Sequence, residues 1–431
     1  MSMSLFLLLG FFVLSLLGVP LAVSLGISGV ATLALFTPMP MSLVPQTMFS
    51  GMNSFLLVAV PLFILVGLLM EHGGTAARIF RFANAVVGWL PGGLGHVNVV
   101  TSVIFGGISG SSVADIASLG RVEISAMVQH GYSRGYAVAL TLTTSVLATI
   151  IPPSILMIIA GSVAGESIGV LLIAGLVPGV FVALLFMGYN HLYARRTELE
   201  TVRFTGRELL ASAVEGLPAL MTPVILLYGI VGGLFTPTEA AGVAVLYTLF
   251  LSIYVFRELR WRDIPRYLFA TAKLSGTILF IAATAKIAAW VFTFDGLPAQ
   301  VASVLATVTE DPRIALLLIF AFLVIVGMFM DAIAALFVLI PILLPGAEQV
   351  GVDPIHFLVV TVIALGLGLI TPPVGVCLFT AAQVANMRIE SVIRASLPLM
   401  GVLGFAVLLL VLFPAITLYP LELLDLYGGG R

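Results

Sequence analysis

Charge is scarce in this chain. Of 431 residues, 9% are Asp, Glu, Lys or Arg, while 61% are hydrophobic. A soluble domain carries about a quarter charged residues, so this composition excludes an ordinary water-facing surface. Apolar runs of membrane-spanning length recur from end to end, which defines an all-α polytopic membrane protein. Cysteine is almost absent: Cys377 stands alone, so no intrachain disulfide forms and packing is its expected role. No P-loop is present, which argues against ATP hydrolysis. His72, His96, His130, His191 and His356 show no metal-ligand spacing and fall near the expected membrane edges. The basic loops 195–216 and 257–266 are topology determinants rather than nucleic-acid patches. No outer loop is long enough to fold as a domain, and only the tail "YGGGR" looks loose. The first apolar run lacks a basic n-region, so it is expected to stay as a span.

About ten full spans are expected, near 4–19, 21–37, 55–71, 135–163, 168–194, 217–234, 238–256, 268–294, 355–384 and 392–418. Segments 95–120 and 313–345 fit poorly as simple spans. Each begins apolar, breaks at a polar or glycine-rich point and continues, as a re-entrant hairpin would. The positive-inside rule supports that reading. With the N-terminus outside and both hairpins returning to their side of entry, Arg78, Arg81, Arg121, Arg134, Arg195, Arg196, Arg203, Arg207, Arg257, Arg260, Arg262, Arg266, Arg388 and Arg394 are all cytoplasmic. Only Arg313 and Arg431 lie outside, among Asp295, Glu310, Asp311, Glu348, Asp353, Glu422 and Asp425.

A shift of 220 residues superposes the punctuation of the two halves. Gly107 falls on Gly327, Gln129 on Gln349, Gly131 on Gly351, Thr141 on Thr361 and Pro152-Pro153 on Pro372-Pro373. Under the topology above, the copies enter the membrane from opposite sides. Inverted repeats with broken helices are an architecture of secondary transporters, with the site at the repeat interface. The expected organisation is scaffold helices in 1–54, a first repeat in 55–194 with broken helix 135–163, central scaffold helices and basic loops in 195–266, a second repeat in 267–418 with broken helix 355–384, and a tail at 419–431.

Backbone polar groups freed at a hairpin tip or a Pro-Pro break must be buried in protein or line a wet cavity. Freed carbonyls and hydroxyls suit a hard cation, and half-helix N-termini suit an anion. The first tip, "SGSSVAD", is therefore paired with the break after "LTTSVLATIIPP". This gives a candidate Na+ site of Gly107, Ser109, Gly110, Ser111, Ser145 and Pro152. The second tip, "VGMFMDA", is paired with "GLGLITPPVG", giving Gly327, Asp331, Gly366, Gly368, Thr371 and Pro373. Ser111, Ser112, Asp115, Lys286 and Asp331 are the candidate substrate contacts. A carboxylate at membrane depth costs roughly 2.5–3.5 kcal/mol on insertion scales, so Asp115 and Asp331 either hold a cation or cap the half-helix behind the tip. Lys286 either counters a carboxylate or snorkels, and Lys273, nearer the cytoplasmic end, snorkels. Glu239 opens a helix as an N-terminal charge. Trp89, Trp261 and Trp290 are interfacial or packing residues.

"GISG" at 107–110 also fits an intramembrane serine protease, but no histidine is placed at depth to activate the serine. A channel is a further rival, disfavoured by inverted hairpins carrying ion-site chemistry.

The stretches "GGISGSSVADIASLG", "GLFTPTEAAGVAVLY", "GMFMDAIAALFVLIPILLP" and "GVDPIHFLVVTVIALGLGLITPPVGVCLF" resemble the large membrane subunit of tripartite ATP-independent periplasmic (TRAP) transporters, the DctM/SiaM-like family, over nearly the whole chain. The resemblance implies a bacterial or archaeal inner-membrane symporter without enzymatic activity, driven by Na+ and importing an organic acid such as a C4-dicarboxylate or sialic acid. It also implies an elevator motion, a small membrane subunit of about four helices and a periplasmic substrate-binding protein. With no N-terminal fusion in sight, those partners are expected as separate polypeptides. Gly107, Ser109, Gly110, Ser111, Ser112 and Asp115 match the first hairpin motif of the family. Gly327, Asp331, Thr371, Pro372 and Pro373 match the second hairpin and its facing break. Lys286 matches no family motif. The alternative is a stand-alone Na+- or H+-coupled carboxylate symporter.

Overall fold

The computed structural model describes residues 2–197, 199 and 205–426. Arg203, Arg431 and the tail 427–431 lie outside the described residues. Seven described helices are long and apolar enough to cross a membrane, or eight if the bent pair Arg134–Ile150 and Ile155–Ala164 is one span. One of the seven is the returning limb of the second hairpin.

The chain opens with α1 (Met3–Leu16), α2 (Leu21–Phe36) and α3 (Leu43–Met52). α4 (Ala59–His72) follows a 3-10 turn, and α5 (Thr75–Val87) lies after a left-handed Gly74. The first hairpin is α6 (Gly93–Ser109) followed by a returning limb in two pieces, α7 (Ser112–Ser118) and α8 (Gly120–Gln129). Its broken helix is α9 (Arg134–Thr144) with α10 (Leu147–Ile150), then α11 (Ile155–Ala164). α12 (Ile168–Thr197), α13 (Gly206–Val231) and α14 (Pro237–Phe250) lead to α15 (Ile264–Phe294) and α16 (Leu297–Val308). The second hairpin is α17 (Pro312–Gly327) and α18 (Ala332–Gln349), and its broken helix is α19 (Pro354–Leu369) and α20 (Val376–Ala385). α21 (Ile389–Leu412) and α22 (Ala415–Leu423) complete the described chain.

Local chemistry repeats at the same 220-residue offset. Ser111 caps α7 by accepting from Ala114 N, and Asp331 caps α18 by accepting from Ile333 N and Ala334 N. Ser133 caps α9 and Asp353 caps α19. Each of these oxygens satisfies N–H groups that a helix start would otherwise leave bare. The turn before each broken helix uses a left-handed glycine, Gly131 at φ 90° and Gly351 at φ 84°, a conformation that costs a side-chain-bearing residue dearly. Both Pro-Pro peptide bonds are cis.

The copies interlock. α11, the far half of the first broken helix, packs on α18 of the second hairpin, and α20 packs on α7 and α8 of the first. α4 and α15 flank this unit, with α2 and α3 on α15, α14 on α4 and α13 on α5.

Both hairpins extend further than 95–120 and 313–345, their returning limbs reaching Gln129 and Gln349. Three helices, α3, α5 and α16, occupy stretches outside the expected spans. α5 buries Thr75, Ile79 and Ala83 on one face while Arg78 and Arg81 turn outward to ion pairs with Glu258, Glu208 and Glu215. Such a short amphipathic segment lacks the continuous apolar run that marks a span. α22 is a separate helix where the expected last span, 392–418, would have continued.

Candidate functional site

The two hairpin tips line one cavity of about 220 Å³. Ser109, Gly110, Ser111, Ser112, Val113 and Ala114 come from the first tip, and Asp331, Ala332 and Ile333 from the second. Thr149 and Leu369 enter from the two broken helices. α4 contributes Ile64, Gly67, Leu68 and Glu71, and α15 contributes Leu274 and Ile278. The α4 residues follow i, i+3, i+4, i+7 spacing, so they form a single stripe of that helix.

Close packing of backbone makes this meeting point. Gly110 ends α6 at φ 60°, which turns the chain at the tip. A Cβ on Gly107 would lie 2.9 Å from the Pro152 carbonyl oxygen, and one on Gly110 2.9 Å from Ile155 N. A Cβ on Gly368 would stand 2.6 Å from Gly327 Cα. Val374 N donates to Met328 O at 3.3 Å, tying the second tip to its break. Gly67 lets α4 approach the Ser109 backbone, where a Cβ would sit 3.3 Å from the carbonyl oxygen.

The predicted residues fall into three groups. Ser109, Gly110, Ser111, Ser112 and Asp331 line the cavity. Gly107 and Pro152, and Gly327 and Gly368, are packed pairs just behind it. Thr371 Oγ1 donates to Leu367 O at 2.6 Å, and Ser145 Oγ donates to Leu142 O at 2.7 Å. Gly366 faces Val146 and Thr149 of the other break, not the second tip. Pro373 lies in the loop between α19 and α20. Asp115 points away from the cavity into the first hairpin, where Ser102 Oγ donates to it at 2.9 Å. Lys286 lines a different cavity, of about 190 Å³, with Ser50, Ser54, Ser162 and Phe337. It sits eight residues past Ile278, about 12 Å along α15.

Glu71 is a cavity residue that the sequence reading omits. It ends an apolar run in "LLMEHGG", which makes it look like a loop charge, but the Gly67 stripe carries it to the tips. The cavity lies toward the arginine-rich end of the protein, where the His72 and Tyr267 rings lie 5.0 Å apart and tilted and Arg78 meets Glu258 at 3.7 Å. No Lys, Arg or His lines it, whereas Asp331 and Glu71 do. At the opposite end, Glu166 lies near Glu348 and Asp353; burial and these two neighbours hold its carboxyl above the ordinary range. Among the described residues no cluster of His, Cys, Asp and Glu could hold a metal ion of that coordination type.

A bundle with paired re-entrant tips meeting at two helix breaks is a membrane transporter architecture. The chain belongs to the family described as the tripartite ATP-independent periplasmic transporter, DctM component, which it matches over residues 8–416. It is 39% identical over 396 residues to a C4-dicarboxylate TRAP transporter large permease protein of Pseudomonas aeruginosa, covering 92% of this chain and 93% of that one. It is 36% identical over 413 residues to a sialic acid TRAP transporter large permease protein of Vibrio cholerae, covering 95% and 96%. An isethionate TRAP transporter permease protein of Oleidesulfovibrio alaskensis is 37% identical over 96% of this chain but 65% of its own length. The fold is similar to that of the YdaH transporter of Alcanivorax borkumensis, with TM-score 0.64 and 15% identity over 88% of this chain and 90% of that chain. The protein is thus a multi-pass large permease subunit of a TRAP transporter, and not an enzyme.

Proposed function

We propose that this permease imports a small organic acid, a C4-dicarboxylate, sialic acid or similar carboxylate, across a bacterial or archaeal inner membrane by Na+-coupled symport. The observation carrying this reading is the charge of the tip cavity. Asp331 and Glu71 line it and no basic residue does. An organic anion entering alone would meet only like charge in a poorly solvated space, so co-bound cations are needed to balance it. The first tip at Ser109, Ser111 and Ser112 and the broken helix at Thr149 supply hydroxyls and carbonyls, oxygen ligands suited to a hard cation.

In this reading the arginine-rich end is cytoplasmic, both termini are periplasmic, and the cavity facing Glu71 and Leu274 belongs to an inward-oriented state. The interlocked hairpins and broken helices move as one body against α4 and α15, an elevator motion. Lys286 then attracts the anion nearer the periplasmic side before it reaches the tips. A separate small membrane subunit and a periplasmic binding protein complete the system, the latter delivering the substrate.

The test is uptake of candidate organic acids into proteoliposomes holding this chain and its small partner, under an inward Na+ gradient, with and without the binding protein. Uptake that needs both Na+ and the binding protein is the expected result. Uptake indifferent to Na+ overturns the cation-site reading. Uptake without the binding protein overturns the tripartite reading in favour of a stand-alone symporter.

A further inference from the structure

The first hairpin encloses a polar network away from the tip cavity. Asn98 and Ser102 project from α6, Asp115 from α7, Glu123 from α8, and Thr141 and Thr144 from α9. Glu123 is 1% exposed, and its Oε1 has no hydrogen-bond partner. No described basic side chain pairs with Glu123 or Asp115.

The hydrogen bonds around Asn98 identify what Glu123 binds. As placed, Asn98 Nδ2 lies 2.5 Å from Glu123 Oε2 and 2.8 Å from Thr141 Oγ1, and Thr144 Oγ1 lies 2.9 Å from Asn98 Oδ1. This leaves the Thr141 hydroxyl proton without an acceptor among the described residues. The two ends of an amide are exchanged by a half-turn that preserves its shape. After that half-turn, Thr141 donates to Asn98 Oδ1 and Asn98 Nδ2 donates to Thr144 Oγ1. Thr144 in turn donates to Leu140 O at 2.8 Å. Each threonine hydroxyl is then satisfied. Two oxygens, Asn98 Oδ1 and Glu123 Oε2, now face each other at 2.5 Å. Two acceptors at that separation require a proton between them, and the distance fits O–H···O rather than N–H···O.

The second repeat shows that the fold does not need this network. The positions of Asn98, Ser102, Asp115 and Glu123 hold Leu318, Phe322, Ala335 and Leu343 there. None of the other titratable groups on the packed elements is hydrogen-bonded or ion-paired to Glu123. Arg134 donates to the Ala385 carbonyl, His96 faces His191 at 6.2 Å, Tyr136 donates to Asn190 Oδ1, and Arg121 is exposed. Cys377 on α20 is buried.

We propose that Glu123 is a buried proton-binding site, held as a neutral carboxylic acid that donates to Asn98 with Thr141 and Thr144 fixing the amide. It gives the first hairpin a bound proton that the second lacks.

Infrared spectroscopy of the purified full chain tests this at neutral pH, independently of what is transported. The wild type should show the carbonyl stretch of a protonated carboxylic acid. Glu123→Gln should remove it, and Asp115→Asn should retain it. Gln can donate to the same Asn98 oxygen, so Glu123→Gln should fold and keep its Tm. In reconstituted uptake, wild-type transport should fall at alkaline pH as the proton is lost, and Glu123→Gln should flatten that limb. Absence of any protonated-carboxyl band in the wild type overturns the proposal without recourse to a variant. So does a band that Glu123→Gln leaves undiminished.

Discussion

The two hairpins share a path through the protein but not an interior. α17 and α18 are apolar along nearly their whole length; apart from the exposed Glu348 at the far end of α18, their one carboxylate is Asp331 at the tip, serving as a cap. α6 to α8 carry Asn98, Ser102, Asp115 and Glu123 between theirs. Apolar packing with one capped tip is therefore sufficient to build a hairpin of this shape. Buried carboxylates are costly in that setting, so the polar interior of the first hairpin answers to something other than folding.

Mutations can press on this contrast. The largest effect should come where backbone packs on backbone behind the tips. Gly368→Ala places a Cβ against Gly327 backbone at 2.6 Å, and Gly107→Ala places one 2.9 Å from a carbonyl oxygen. Overpacking costs about 1–3 kcal/mol, so both variants should lose Tm and uptake, Gly368→Ala more. Equal stability to wild type in both would show that the tips are not held by these glycines. Next, Asn98→Leu alone should destabilise by about 1–3 kcal/mol by stranding the Glu123 and Thr141 groups. Converting Asn98, Ser102, Asp115 and Glu123 together to Leu, Phe, Ala and Leu should cost less than the sum of the four single changes. Additive losses in chemical denaturation would break the claim that the second hairpin is an apolar template of the first. The smallest stability change should come from the caps. Ser111→Ala and Asp331→Ala each remove a cap worth about 1 kcal/mol, yet both should shift Na+ activation of uptake, Asp331→Ala more because it also removes a charge. Wild-type Na+ activation in both would remove those residues from the ion sites.

Much of this was legible in the sequence. The repeat, both tips and both breaks follow from glycine and proline punctuation, because those residues fix backbone geometry wherever they stand. Of the two carboxylates offered as caps of a half-helix, Asp331 is one, whereas Ser111 takes that place in the first hairpin and Asp115 does not. The identity of the cavity wall was less legible. Glu71 reads as a loop charge until α4 is rotated against the tips, and Asp115 reads as a tip residue until Ser102 draws it inward. Lys286 shares a helix with Ile278 but belongs to another cavity. Linear distance along a helix is readable; which stripe faces which neighbour is set by tertiary packing. The Asn98–Glu123 pairing joins residues 25 apart through a hairpin turn, and neither carries a motif.

The exchange of α11 and α20 between repeats has a consequence for biogenesis. α11 is complete by residue 164, but the surface it packs against, α18, begins at residue 332. During N-to-C synthesis at about 5–20 residues per second, the first repeat reaches the bilayer long before its cover exists. The first hairpin likewise waits for α20, which begins at residue 376. The interlocked repeats therefore cannot mature one at a time. Its closure belongs to the last part of the chain, and truncation before α20 should leave a membrane-inserted but protease-sensitive first half.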